Sequence, residues 1–187
     1  MIEYFKERPS KIINRIMLIT GLLIFIPVYY SNYQLILKIM DLETLNALLI
    51  SFNSNIFSEI IITLKQQGHL KTLFNIYILN IISTTGFSLS AFAITLIIAR
   101  SIRQSSIFYK VAFIFPILVL LIAFFDFVPS ILFLLITQEP NLISDFIVYT
   151  IDFCYVTRII ILYVEIIWIF FIVIYIIIDK VRERKKL

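Results

Sequence analysis

Residues 159–178 form an apolar run of twenty residues that contains a single charged side chain, Glu165. At about 1.5 Å per residue, a helix of this length matches the roughly 30 Å hydrocarbon core of a bilayer. Over the whole chain 61% of residues are hydrophobic and 15% charged, and the mean hydropathy is +1.01. This composition predicts a membrane protein. It excludes a soluble enzyme, a disordered chain and, despite the pI near 9.2, a nucleic-acid-binding domain.

Three further apolar stretches are long enough to form membrane helices. We predict spans at about 12–30, 72–99, 111–136 and 145–178, with a cytoplasmic tail at 179–187. The basic residues before the first span resemble the start of a signal peptide, but no small-residue cleavage site follows, which favours a retained span. The predicted fold is therefore all-α: a polytopic bundle of four transmembrane helices in a single membrane domain.

Lysine and arginine in the flanks of the spans indicate the orientation. Twelve of the sixteen lysines and arginines lie before the first span, between the second and third, and after the fourth: Lys6, Arg8, Lys11, Arg15, Arg100, Arg103, Lys110, Lys180, Arg182, Arg184, Lys185 and Lys186. The turn between the third and fourth spans, at 137–141, has none. The positive-inside rule then predicts that both termini are cytoplasmic. We expect the membrane to be that of a bacterial or archaeal cell.

The segment 31–71 is the only sizeable part predicted outside the membrane. Asp41 is a good N-cap, and the leucines that follow it share one helical face: Leu42, Leu45, Leu48 and Leu49. A second amphipathic helix is predicted from Ser54 to Gln67, ended by Gly68. We expect both short helices to lie on the membrane surface or to cover the bundle.

Ionisable residues inside a span cost about 2.5–3.5 kcal/mol or more each, so they normally face the protein interior and have partners. Counted at about 1.5 Å per residue from the cytoplasmic flanks, Asp126 and Glu165 lie roughly 22–24 Å into the membrane. Arg158 lies nearer the outer boundary, seven residues before Glu165 and on the same helical face. Asn80, Thr84 and Ser88 form a small polar stripe on the second span. These groups are predicted to converge in the outer half of the bundle.

Three interpretations of this cluster remain open. We favour a structural ion pair, either Asp126–Arg158 or Glu165–Arg158, that fixes the register of the helices. The alternatives are a polar pocket for a ligand or lipid headgroup, formed with Asn80 and Thr84, and a proton relay or catalysis by the two carboxylates.

Other features predict little chemistry. Asp145 and Asp152 are interpreted as a solvated face, Cys154 as a packed apolar group, and His69 has no histidine partner. No metal site and no cofactor are predicted. Pro129 is expected to kink the third span beside Asp126. With three glycines in the chain, GxxxG-type association is excluded.

Three stretches resemble an uncharacterised family of small bacterial membrane proteins with four helices. They begin at Gln66-Gln-Gly-His-Leu-Lys, Phe125-Asp-Phe-Val-Pro-Ser and Val156-Thr-Arg. In that family the third span carries a Phe-Asp-x-x-Glu-Asn element. Here Pro129 and Ser130 replace the Glu-Asn pair, so that only Asp126 matches cleanly. The resemblance implies a four-helix membrane fold and no particular activity.

For function, we predict a non-catalytic accessory or structural subunit that associates with itself or with a larger membrane complex. One alternative is a binding protein or carrier for a lipid or a small apolar molecule, using the outer pocket. The other is a membrane enzyme, such as an isomerase, in which Asp126 and Glu165 exchange a proton on an apolar substrate. The lipid bilayer is the expected environment, and no nucleic-acid partner is predicted.

Overall fold

The structure, a computed structural model, describes residues 2–184 and is all-α, with no strand among those residues. The helices are α1 (Ile2–Glu7), α2 (Lys11–Ile39), α3 (Leu42–Ile50), α4 (Ser54–Gln66), α5 (Leu70–Ser101), α6 (Phe108–Ala112), α7 (Phe115–Gln138) and α8 (Asp145–Arg184). A single 3₁₀ turn, Pro140–Leu142, joins α7 to α8. Lys185 and Lys186, which belong to the predicted basic flank, lie outside the described residues.

Four helical segments are long and apolar enough to cross a membrane: Lys11–Ile39, Leu70–Ser101, Phe108–Gln138 and Asp145–Val181. The four predicted spans are therefore confirmed as helices of membrane length and composition. The first differs most, because α2 continues nine residues beyond the predicted end at 30. Hydropathy falls after Tyr30, but residues 31–39 contain neither glycine nor proline, so the helix itself does not end there.

The four long helices pack in chain order, α2 on α5, α5 on α7 and α7 on α8, so that α5 and α7 are central. The approach of α2 to α5 depends on two glycines that face each other. A Cβ placed on Gly21 would lie 2.6 Å from the carbonyl oxygen of Gly86, and one on Gly86 would lie 2.7 Å from the Phe25 nitrogen. The sequence contains no GxxxG motif, and the sequence analysis missed this crossing, in which each helix contributes one glycine.

We call α3 and α4 together the cap. The predicted N-cap is confirmed, since the Asp41 carboxylate accepts a hydrogen bond of 2.7 Å from the Thr44 backbone N–H. This bond lowers the pKa of Asp41, because it stabilises the ionised form. The predicted second short helix ends within one residue of the expected position, at Gln66, and Gly68 follows its C-cap Gln67 with φ +75°.

The apolar faces of the cap are buried against the long helices. Leu48 and Leu49 of α3 and Phe57 and Ile61 of α4 belong to one core with residues of α5, α7 and α8. Within it the Phe57 ring stacks on Phe133 of α7 at 5.5 Å. The cap therefore packs on the end of the long helices as part of the same folded unit. We call this end the cap side.

A second core lies at the opposite end, which we call the terminal side. It contains Phe92, Leu96 and Phe113, with Phe5 of α1 packed against it. The guanidinium of Arg100 donates to the carbonyl oxygens of Phe5 and Pro9, at 3.0 and 2.9 Å. These bonds attach the start of the chain to the end of α5.

The prolines have two different effects. Helix α7 continues through Pro129 to Gln138, with Pro129 itself buried. Pro140 begins the turn to α8, since a proline cannot continue the preceding helix. Ser144 directly precedes α8, and its carbonyl oxygen accepts from the Val148 N–H at 3.0 Å.

Candidate functional site

The predicted ion pair forms between Asp126 of α7 and Arg158 of α8. Arg158 donates from one terminal nitrogen to Asp126 Oδ1, and the Thr84 hydroxyl of α5 donates to Asp126 Oδ2. The Asp126 side chain is 13% exposed and the Arg158 side chain is 25% exposed. The guanidinium also lies over the Tyr155 ring, 4.8 Å from its centroid. One carboxylate thus connects three of the long helices.

A second polar contact lies beside the ion pair. The Asn80 side-chain nitrogen donates to the Ser130 hydroxyl at 2.9 Å, and that hydroxyl donates to the backbone carbonyl of Asp126 at 2.8 Å. Asn80 and Thr84 of the predicted stripe therefore join the Asp126–Arg158 cluster. Ser88 does not, because its hydroxyl donates to the Thr84 carbonyl within α5.

A cavity of about 340 Å³, which we call the head cavity, lies between the ion pair and the cap. Asp126 and Arg158 line it, as do residues of α3 such as Leu45 and Asn46. The remaining lining residues are Tyr29, Asn32, Tyr33, Ile36, Met40, Leu42, Leu49, Leu73, Ile76, Tyr77, Asn80, Pro129, Ser130 and Tyr155. Its volume lies within the range of about 300–1,000 Å³ that is typical of small-molecule sites.

A second cavity of about 240 Å³, which we call the tail cavity, adjoins the same ion pair. Both cavities are lined by Tyr29, Asn80, Asp126 and Arg158. The other walls of the tail cavity are largely apolar and lie further toward the terminal side: Phe25, Ser83, Thr84, Phe87, Ile122 and Leu162. The ion pair therefore lies where the head cavity, which has several polar groups among apolar walls, meets a more apolar one.

Two buried polar atoms near the head cavity have no hydrogen-bond partner within residues 2–184: Arg158 Nε and Asn32 Oδ1. Both residues line the cavity, and Asn32 is only 6% exposed. Leaving a buried donor or acceptor unsatisfied costs about 1–3 kcal/mol. Each of these residues therefore borders the cavity and carries one buried polar atom that has no partner in the described part of the chain. Asn32 is not among the predicted site residues, because the sequence places the segment 31–71 outside the membrane.

Glu165, the other predicted acid, does not join this site. It is 3% exposed, and neither carboxylate oxygen has a hydrogen-bond partner in the described part of the chain. It lines neither the head cavity nor the tail cavity. Of the two predicted pairings for Arg158, the structure contains the one with Asp126.

The interpretation of Asp145 and Asp152 as a solvated face is wrong for Asp152, which is fully buried. Its Oδ2 accepts a 2.6 Å hydrogen bond from the Phe52 N–H, in the link between α3 and α4. Phe52 has φ +49°, a left-handed conformation that is rare without glycine. Asp145 accepts from the Ser54 hydroxyl, at the start of α4. Both acids attach the cap to α8. The spacing of seven residues predicts that the two acids share a face of α8, but it does not predict that the cap covers this face.

The described residues contain no group of three or more histidine, cysteine or acidic side chains that could hold a metal ion. No known protein family, curated protein or solved structure with which the chain was compared matches it. The resemblance to small bacterial four-helix membrane proteins therefore stays a prediction.

Proposed function

We propose that this chain is a multi-pass membrane protein that binds a lipid or another small amphiphile between its cap and the Asp126–Arg158 pair. The observation that carries the proposal is the head cavity of about 340 Å³, which is covered by α3 and has the ion pair at its base. A buried ion pair that only fixed helix register would need no cavity beside it. Ligand sites in proteins combine apolar walls with a few convergent polar groups, as this cavity does.

The unpaired polar atoms support the same proposal. Arg158 Nε and Asn32 Oδ1 are buried without partners in residues 2–184, and both residues line the head cavity. Buried polar groups in folded proteins are nearly always hydrogen-bonded, so two unpaired ones on residues that border one cavity support a polar partner from outside the chain. A bound water and a bound organic molecule are distinguished by mass.

We further propose that both termini are cytoplasmic and that the cap side faces outward, in a bacterial or archaeal cell membrane. Arg100, Arg103 and Lys110, between the second and third membrane helices, support this orientation, as does the absence of lysine and arginine from the turn at 137–144. The head cavity would then lie at the level of the outer leaflet. A cysteine introduced at Asn46 and another at Ser105 should react from opposite sides of the membrane with an impermeant maleimide.

Native mass spectrometry of protein gently extracted from its own membrane tests ligand binding. Asn46 and Glu43 are both exposed on α3, but only Asn46 lines the cavity. Asn46→Trp should therefore obstruct the cavity, and Glu43→Trp is its matched control. We expect one reproducible small-molecule adduct on the wild type and on Glu43→Trp, and its loss from Asn46→Trp. An unliganded wild type, or an adduct unaffected by Asn46→Trp, would contradict the proposal.

A second candidate function is an accessory subunit that associates with itself or with a larger complex. The observation that favours it is a row of exposed apolar residues on α8 at intervals of seven: Phe146, Phe153, Ile160, Ile167 and Ile174. This is the spacing at which one helix presents a continuous seam to another. The same mass spectra distinguish the cases, because a stable dimer or a retained partner chain would support assembly. Glu165 lines neither cavity, so no comparable observation favours the isomerase.

A further inference from the structure

The lining of the two cavities restricts the charge of the ligand, a step that rests on the proposed binding function. Among the described residues that line either cavity, only Asp126 and Arg158 carry a full charge, and they form an ion pair. The lining therefore has no net charge. A headgroup with a net charge would enter this site without a counter-ion and would lose part of its hydration there, which is unfavourable. The site is suited to an uncharged headgroup.

The unused polar atoms restrict the headgroup further. Two residues that border the head cavity have an unpaired atom within the described part of the chain: Asn32 Oδ1 lacks a donor, and Arg158 Nε lacks an acceptor. An ester carbonyl or an ether oxygen can only accept, whereas a hydroxyl group can do both. Asn46, Asn80 and Tyr33 also line the head cavity, and their amide and phenol groups can donate to and accept from hydroxyl groups. This set of side chains matches a headgroup with more than one hydroxyl.

The tail cavity indicates where the hydrocarbon part would lie. It is lined by Phe25 of α2, Phe87 of α5 and Leu162 of α8. Each lies nearer the terminal side than the residue of the same helix that lines both cavities: Tyr29, Asn80 and Arg158. A molecule with its polar end in the head cavity could therefore extend an apolar chain past the ion pair. Because the tail cavity lies within the membrane helices, this chain would run along the direction of the surrounding lipid tails.

The packing of the helices suggests the access route. The extensive contacts of α2 are with α5, and those of α8 are with α7, yet both helices contribute walls to both cavities. The cavities are thus bounded on one side by two helices that make little contact with each other. A ligand dissolved in the bilayer could enter between α2 and α8 without unfolding the cap.

We infer that the ligand is an uncharged lipid with a polyol headgroup, such as a monoacylglycerol, that reaches the site from the bilayer between α2 and α8. The test uses the full chain in nanodiscs and a matched pair of probes, 1-oleoylglycerol and 1-oleoylglycerol 3-phosphate. The two share the chain and the glycerol and differ by a charged phosphate. We expect 1-oleoylglycerol to bind at least about tenfold more tightly than the phosphate, the ratio for roughly 1.4 kcal/mol of differential affinity. Free glycerol should not compete.

A pair of asparagine variants tests the role of the headgroup. Asn32 and Asn14 are both buried on α2 and each has an unpaired Oδ1, but only Asn32 lines the head cavity. Asn32→Ala should weaken 1-oleoylglycerol binding by about tenfold. This is near the largest effect expected when one hydrogen bond to the ligand is lost. Asn14→Ala, which loses a bond from Asn14 to the Ala93 carbonyl, should leave binding unchanged in protein that remains folded.

The outcomes separate this inference from the proposed function. Preferential binding of the phosphate, or competition by free glycerol, would overturn the uncharged lipid while leaving a ligand site. A third outcome is an adduct from the native membrane that Asn46→Trp removes, with no binding of either probe. The ligand site would then stand, and the inference about an uncharged lipid would fail. If neither probe binds and no adduct is found, both proposals fail.

Discussion

Removal of Asp126 alone should destabilise the protein more than removal of both members of its ion pair. The carboxylate accepts from Arg158 and from Thr84, so Asp126→Leu would leave a cation and a hydroxyl unpaired at the level of the membrane. In Arg158→Leu the carboxylate would keep its bond from Thr84. In the double variant, Asp126→Leu with Arg158→Leu, only the Thr84 hydroxyl loses a partner, and a hydroxyl can donate to a carbonyl of its own helix.

Breaking a buried ion pair by removing one partner costs about 3–5 kcal/mol. Because the Arg158 side chain is 25% exposed, we expect the lower end of this range for Asp126→Leu, about 3 kcal/mol. For a chain of this size, about 2–4 °C of Tm is lost per kcal/mol, which gives a decrease of about 6–12 °C. Replacing both partners by apolar residues is often neutral or stabilising, so the double variant should melt within about 4 °C of the wild type.

Thermal melts in detergent, followed by circular dichroism, measure these differences in all four proteins of the cycle. Asp179→Ala is the control, since Asp179 forms a more exposed pair with Arg103, at 3.0 Å, and exposed pairs contribute about 0–1 kcal/mol. The expected order of Tm is Asp126→Leu lowest, then Arg158→Leu, with the double variant near the wild type. Additive losses in the double variant would refute the reasoning, because they would mean that the two charges are stabilised independently.

Three further changes test other parts of the fold. Gly21→Ala should lower the Tm by about 2–12 °C through overpacking of about 1–3 kcal/mol, whereas Leu23→Ala, at a site 70% exposed on the same helix, should not. Asp152→Ala removes the acceptor of the Phe52 N–H and should cost about 1–3 kcal/mol, with faster hydrogen exchange at residues 51–53; unchanged exchange would argue against this attachment. Glu165→Leu should raise the Tm, because it replaces a buried carboxyl group that has no hydrogen-bond partner among the described residues by an apolar side chain of similar size.

The sequence predicts the helices well because each one is determined locally. Apolar length specified the four membrane segments, and the side chain of Asp41 and the backbone freedom of Gly68 specified the limits of the cap helices. The Asp126–Arg158 pair was one of two predicted pairings, since opposite charges inside a membrane segment must find each other. Helical spacing also predicted that Asn80 and Thr84 share a face, and both contact residues of α7.

What the sequence could not predict is which surfaces cover one another. Asp152 has the spacing of a solvated acid and is buried because the link between α3 and α4 folds back onto α8. Asn32 belongs to α2, but the fall in hydropathy after Tyr30 predicts that it lies outside the first span. Gly21 and Gly86 carry no motif, and their role is visible only once α2 and α5 are placed side by side. In each case the missing information is the position of a second element.

Helix α8 determines how the cap and the ion pair are arranged, because it contacts each through a different face. Asp145 and Asp152 are seven residues apart, which brings them to one face, and both bind the start of α4 or the link before it. Arg158 lies six residues beyond Asp152, about 120° away from Asp152 around the helix at 100° per residue, and faces α7. Rotation of α8 would therefore move the attachment of the cap and the base of the head cavity together. The cavity depends on α8 keeping both sets of contacts at once, and for this reason its shape should be sensitive to Asp152, which does not line it.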